Sequence, residues 1–167
     1  MSRTETDLLV DLQALAFRSG VTRVARTLSH FGEHDLGWLA VAGVGVAVDE
    51  RRRRQWAALG AGTFAAHAAS VVIKRIVRRK RPHDPRVRIG VKTPSKLSFP
   101  SSHATNTAAA AVHLAAITGS PVPYVAVPIM MLSRMVLGVH YPTDTLAGAL
   151  LGAGVATATI QVEKETR

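Results

Sequence analysis

Seven side chains, in three separated stretches, have types and spacings suited to phosphate chemistry. The first stretch is Lys74-Arg-Ile-Val-Arg-Arg-Lys-Arg81-Pro82. Its lysine and last arginine are seven residues apart and would share one helical face if a helix ran on to Arg81, although Pro82 disfavours helix at the residue before it. The second is Pro100-Ser101-Ser102-His103. A proline break leads there into an apolar run, which places serine hydroxyls and free N–H groups at a helix N-terminus, where anions bind. In the third, Ser133-Arg134 precedes His140, and Asp144 follows it by one helical turn. A histidine with a carboxylate at that reach is a nucleophile or base with its orienting partner.

Apolar elements must carry these groups. The 167 residues are 47% hydrophobic and lack cysteine, with 21 Lys+Arg against 11 Asp+Glu, a formal charge of +10. Zero cysteines remove disulfide scaffolds, cysteine-ligated zinc and thiol catalysis. A pI near 11.2 would ordinarily point to nucleic acid, but a mean hydropathy of +0.16 requires charge and apolar residues to be in separate blocks, as in a membrane protein. Apolar segments run over Leu36–Val48, Gln55–Ile73, Ala104–Thr118, Pro123–Gly138 and Thr143–Val162. The first falls short of the ~20 residues that span a bilayer and would have to recruit part of His30–Asp35. Ahead of them, Glu5–Phe17 reads as an amphipathic helix, with Leu8, Leu9, Leu12, Leu15 and Ala16 on one side and Asp7, Asp11 and Gln13 on others. Its acidic residues interrupt any signal peptide of the usual order, so no cleaved leader is expected. The expected fold is all-α: a single domain over 1–167, an integral membrane bundle of about five transmembrane helices plus the N-terminal amphipathic helix. Gly148-x-x-x-Gly152 suits close helix approach, either inside the bundle or on the face of a homo-oligomer.

The three stretches resemble the K-x6-RP, PSGH and SR-x5-H-x3-D signatures of the type 2 phosphatidic acid phosphatase (PAP2) family. Ten specified positions match in order, and one departs: Ser102 stands where the family pattern has glycine. Serine is harmless there with ordinary backbone angles and strained if φ must be positive. The resemblance implies that His140 attacks phosphorus to give a phosphohistidine, that Asp144 orients it, and that His103 protonates the leaving alkoxide and then activates water. It also implies that Lys74, Arg81, Arg134, the Ser101 hydroxyl and the Ser102 N–H surround the phosphoryl oxygens, with neither metal nor cofactor. More narrowly, Leu28–His34, the tetra-arginine Arg51–Arg54 and Leu97–Thr105 resemble the short actinobacterial phosphatases assigned to decaprenylphosphoryl-5-phosphoribose. A polyprenyl-phosphate or phospholipid substrate in the cell membrane follows. A general lipid phosphatase acting on undecaprenyl pyrophosphate, phosphatidate or phosphatidylglycerol phosphate is the alternative, since the phosphoryl pocket is shared.

Other residues have two readings. His67 lies seven residues before Lys74 inside an apolar run, and either backs the site or bonds a neighbouring helix. Asn106 and Thr107, one turn past His103, are substrate-hydroxyl ligands or interhelical glue. His113 reads as a satisfied bundle residue, and His30, His34 and His83 have no metal spacing. Arg51–Arg54, between two apolar segments, reads as a topology determinant and not as a nucleic-acid patch. On a five-span count the motif side carries twelve cations besides Lys74, Arg81 and Arg134, against six opposite. That favours a cytoplasmic site, while the dense tetra-arginine argues the other way. Two other classes remain: a non-catalytic basic membrane module, supported only by charge, and a soluble acid phosphatase or haloperoxidase, ill suited to a short apolar chain.

Overall fold

Thr4 opens the first helix. Its hydroxyl accepts the Asp7 N–H at 3.2 Å, and the Asp7 carboxylate accepts the Thr4 N–H at 3.1 Å, a reciprocal cap. The computed structural model describes residues 4–32 and 35–166, so Glu33 and His34 of the Leu28–His34 segment lie outside the described residues. The helices are α1 (Glu5–Ala16), α2 (Ser19–Phe31), α3 (Leu36–Val48), α4 (Arg53–Val77), α5 (Ser102–Thr118), α6 (Ala126–Val136) and α7 (Pro142–Glu165). Among the described residues the only β-type pairing is a single antiparallel bridge, Lys80 to Leu97, inside the long polar connection after α4.

α5 occupies the centre, against α4, α6 and α7. It can do so because half of its ten buried residues are alanine, Ala104, Ala108, Ala109, Ala110 and Ala111, and backbones approach closely across such small side chains. Gly148 and Gly152 of α7 are the closest approach. A Cβ on Gly148 would come within 2.6 Å of the Ser101 carbonyl oxygen, and one on Gly152 would collide with that of Thr105. The GxxxG pair therefore makes an internal contact that seats α7 against the start of α5. His113 bridges the same helices through Thr159 at 2.9 Å, the satisfied bundle residue expected of it. Outside this small-residue core the large apolar side chains point away from the protein: Val44 on α3, Phe64 and Ile76 on α4, Leu146 and Leu150 on α7 are all exposed. A belt of that kind on a net hydrophobic chain is suited to contact with lipid. Two segments, Glu50–Val77 and Pro142–Glu165, are long and apolar enough to cross a membrane.

Three sequence expectations are corrected, and one helix is added. The apolar run at Leu36 gains no helical residue from Asp35, whose φ of 65° lies outside helical space, and α3 stays at 13 residues. The stretch before it instead forms α2, an amphipathic helix that went unread. α4 does not continue to Arg81, because Arg78 adopts a left-handed conformation (φ 54°) and closes the helix on the Lys74 carbonyl at 3.0 Å. Gln13, placed on a polar face of α1, is buried. Its Nε2 donates to the Arg88 and Val136 carbonyls at 2.8 and 2.9 Å, and its Oε1 accepts the Arg88 N–H at 2.8 Å, which pins α1 to α6 and the polar connection.

Candidate active site

The left-handed turn at Arg78 aims the chain back across the end of the bundle, so Arg81 arrives on a loop instead of a helical face. Its Nε donates to the Ser95 carbonyl at 2.8 Å and its Nη1 to the Val139 carbonyl at 2.7 Å. The same Nη1 lies 3.1 Å from His140 Nε2. A guanidinium only donates, so Nε2 presents its lone pair and the proton resides on Nδ1. Nδ1 faces Asp144 Oδ2 at 3.7 Å, within ion-pair range and longer than a hydrogen bond.

His140 is 2% exposed and Asp144 0%. Burial, reinforced by the Arg81 and Arg134 charges, holds the imidazole well below the ordinary histidine range and therefore neutral. Burial also pulls Arg81 down to about 10, against the opposing pull of Asp144, so it remains a cation at neutral pH. Gly138, with φ of 68°, makes the turn that brings His140 off α6 and in front of α7. A side chain there would strike the Arg88 carbonyl, so glycine is required on both counts.

Asp144 caps α7 by accepting the Tyr141 N–H at 2.8 Å on Oδ2. Its Oδ1 accepts from Arg79 Nη1 at 2.9 Å. Arg79 in turn stacks over the Tyr141 ring, 4.1 Å from its centre, and donates through Nη2 to Glu5 of α1 at 2.6 Å. Glu5 also accepts from the Thr143 N–H and hydroxyl, at 3.0 and 2.7 Å. Arg79, Glu5 and Thr143 escaped the sequence reading. Glu5 and Arg79 are 74 positions apart, and no local spacing signals such a pair.

Ser101 does two structural jobs. Its N–H donates to the Asp144 carbonyl at 2.9 Å, and its hydroxyl caps the Ala104 N–H at 3.5 Å, which locks the start of α5 to α7. It is fully buried and lies behind the cavity wall. Ser102 forms the wall itself, with ordinary backbone angles, so the serine at the family's glycine position is unstrained. Its hydroxyl meets that of Ser70 at 2.8 Å. Lys74 Nζ donates to the Pro100 carbonyl at 2.7 Å, and Arg134 is buried to 1% exposure.

His103 Nε2 lies 2.9 Å from the Ser29 carbonyl of α2. A carbonyl only accepts, so Nε2 carries the proton and Nδ1 is the nitrogen left for proton traffic. Gly32 sits against the same ring: a Cβ there would fall 2.7 Å from His103 Cδ2. This role of α2 went unread because it is exercised by a backbone carbonyl and a missing side chain. Gly32→Ala is expected to displace the His103 ring and lower kcat about tenfold or more, with the melting temperature in detergent nearly unchanged; such a displacement of a catalytic group is costly in rate. An unaltered kcat would show that the ring does not depend on this contact.

A cavity of about 600 Å³ is lined by Lys74, Arg81, Ser102, His103, Arg134 and His140 together. His67 also lines it, its Nδ1 accepting from Asn106 Nδ2 at 3.1 Å. Asn106 and Thr107 are buried behind, and neither borders the cavity.

Comparison with known proteins gives a concordant picture. The PAP2 superfamily model matches residues 55–167. A decaprenylphosphoryl-5-phosphoribose phosphatase of Mycolicibacterium smegmatis is 59% identical over 147 residues, covering 87% of this chain and 82% of that protein. One from Mycobacterium tuberculosis is 54% identical over 154 residues, covering 92% and 87%. Among solved structures, the transmembrane PAP2-type phosphatidylglycerolphosphate phosphatase of Bacillus subtilis superposes with a TM-score of 0.77 at 20% identity, covering 99% of this chain and 89% of that one. Aquifex aeolicus LpxE gives 0.75 at 17%, covering 92% and 93%. With the family model spanning most of the chain and the helical fold reproduced in both solved structures, the protein belongs to the PAP2 superfamily.

Proposed function

We propose that this chain is a phosphoric monoester hydrolase of the cell membrane that removes the 5-phosphate of decaprenylphosphoryl-5-phosphoribose through a phosphohistidine on His140. The observation that carries the reading is the Nε2 lone pair of a buried, neutral His140 set 3.1 Å from the Arg81 guanidinium. The substrate comes from the relatives of that name at 54–59% identity.

The proposed chemistry follows from the groups in place. Phosphoryl oxygens take over the Arg81 guanidinium and engage Lys74, Arg134 and the α5 N-terminus at Ser102. The Nε2 lone pair attacks phosphorus in line and the bond to the ribose C5 oxygen breaks, while His103, which takes up a second proton on Nδ1 when the doubly charged monoester binds, delivers that Nδ1 proton to the leaving oxygen and is left neutral. His103 then accepts a proton from water, the water oxygen attacks phosphorus, and the P–N bond breaks to release phosphate. The three cations neutralise charge that would otherwise oppose the transition state, and burial strengthens each interaction. Asp144 holds Nδ1 and balances the positive ring.

The reading extends to topology: one domain over 1–167, crossing the membrane several times. α4 and α7 are its full-length spans, while α3, at 13 residues, covers about 20 Å of a core about 30 Å thick. Arg51–Arg54 lie at the end of α4 away from the site, about 30 Å from Lys74 at 1.5 Å per residue. Phosphate release by purified protein in EDTA from decaprenylphosphoryl-5-phosphoribose, undecaprenyl pyrophosphate and phosphatidate tests the substrate. The first is expected to have the highest kcat/KM, and equal rates on all three would overturn the assignment.

A further inference from the structure

The cavity is larger than one phosphoryl group needs. Some 600 Å³ lies in the range that encloses a whole headgroup-sized ligand. Its cations fall into two sets. Lys74, Arg81 and Arg134 are largely buried around His140. Arg75, on the last turns of α4, and Lys92, on the connection before α5, line the same cavity with exposed side chains. Neighbouring cations of that connection are spent: Arg79 on Glu5 and Asp144, Arg86 on Asp84 and Asp7. Among the described residues Arg75 and Lys92 make no hydrogen bond or ion pair. Three buried cations already match a phosphate monoester of charge about −2, so the outer pair is surplus to the reacting group. Beside it, Val71, Val91 and Leu97 give the cavity an apolar side, and Val72 and Ile76 continue exposed along α4, a path for a lipid tail.

We infer that Arg75 and Lys92 form a second anion subsite, which holds an internal phosphodiester while the terminal monoester of the same lipid headgroup sits at His140. The ligand class is a lipid whose sugar or polyol carries a monoester at one end and a diester to the lipid at the other. The inference rests on the proposed function, because decaprenylphosphoryl-5-phosphoribose has that pattern. Phosphatidylglycerol phosphate shares it, and phosphatidate lacks the diester. The subsite selects two-phosphate headgroups by a charge at the correct remove from the reacting phosphorus, and the tail adds affinity without discrimination.

Steady-state kinetics in mixed micelles on these three lipids test it, with wild type, Arg75→Gln/Lys92→Gln and the charge-keeping Arg75→Lys/Lys92→Arg. The glutamine pair is expected to raise KM about tenfold for both diester-bearing lipids, a loss suited to two charge-assisted contacts. Its kcat on them and its kcat/KM on phosphatidate should stay within about twofold of wild type, and the charge-keeping pair should recover most of the KM. Equal losses on all three lipids, or none on the diester-bearing ones, overturn the subsite. If wild type prefers phosphatidylglycerol phosphate and the glutamine pair loses that preference, the subsite stands and the proposed substrate falls. If wild type prefers decaprenylphosphoryl-5-phosphoribose and the glutamine pair keeps the preference intact, the subsite falls and the proposed function stands.

Discussion

His140→Ala is expected to abolish turnover, lowering kcat by about 10⁴-fold or more, the scale seen when the nucleophile of a covalent mechanism is removed. The size follows from the surroundings of Nε2. The ring is buried and neutral, its proton is on the Asp144 side, and its lone pair faces the Arg81 guanidinium, the proposed phosphate-binding cation. Among the described residues that line the cavity, no other histidine pairs a free lone pair with a carboxylate behind it: His103 donates through Nε2 to a carbonyl, and His67 is bonded to Asn106. Lys74, Arg81 and Arg134 remain in the variant, so inorganic phosphate should still inhibit with a Ki within a few-fold of wild type, and the melting temperature should hold. Rapid quench with labelled substrate should trap phosphoprotein in wild type and none in the variant. A variant that kept more than about a hundredth of wild-type kcat would show that phosphorus transfers directly to water.

The parts of this site that could be read from sequence are those that a side chain declares at short range. His140 and Asp144 lie one turn apart, and Lys74, Arg81, Ser102, His103 and Arg134 stand in patterned spacings and all reach one cavity. The long apolar elements were legible for a similar reason, since small and apolar residues form long, nearly unbroken runs over α4, α5 and α7. α2 was not, because Arg18, Arg23 and Arg26 interrupt Val21, Val24 and Leu28, and a helix at the bundle's edge needs no continuous apolar run. Convergence of Lys74 and Arg81 was foreseen with the wrong geometry. A helical face would serve two residues seven apart, but the helix stops at Val77, and the loop that follows brings in Arg79 as well as Arg81. Gln13 was misplaced because its polar side chain is buried by backbone groups of a loop 75 residues distant, a partner that no periodicity encodes. The Ser29 carbonyl and the space at Gly32 carry no side-chain signal at all.

Asp144→Asn, a change of one atom type with shape conserved, is expected to lower kcat by about 10³- to 10⁴-fold, as when a catalytic histidine loses the carboxylate that sets its tautomer. Both carboxylate oxygens of Asp144 face donors: Oδ1 meets Arg79 Nη1 at 2.9 Å, and Oδ2 meets the Tyr141 N–H at 2.8 Å and the protonated Nδ1 of His140. An amide has one oxygen. If its NH₂ turns toward Arg79, two donors oppose each other and the tie through Arg79 to Glu5 and α1 is lost. If it turns toward His140, it opposes the Tyr141 N–H that caps α7 and donates to Nδ1, which moves the ring proton to Nε2 and removes the lone pair proposed to attack phosphorus. Either orientation costs catalysis, and only the second abolishes the nucleophile outright. Arg79→Met keeps the carboxylate and its two remaining donors and should cost about tenfold in kcat, the loss of orientation without loss of tautomer. KM should change little in both variants, because neither residue borders the cavity. Imidazole proton resonances of His140 separate the cases: the Nδ1 proton should persist in Arg79→Met and vanish or move to Nε2 in Asp144→Asn. Equal rates for wild type and Asp144→Asn would mean that Nε2 stays free without the carboxylate, leaving Arg81 alone to set the tautomer from the other side of the ring.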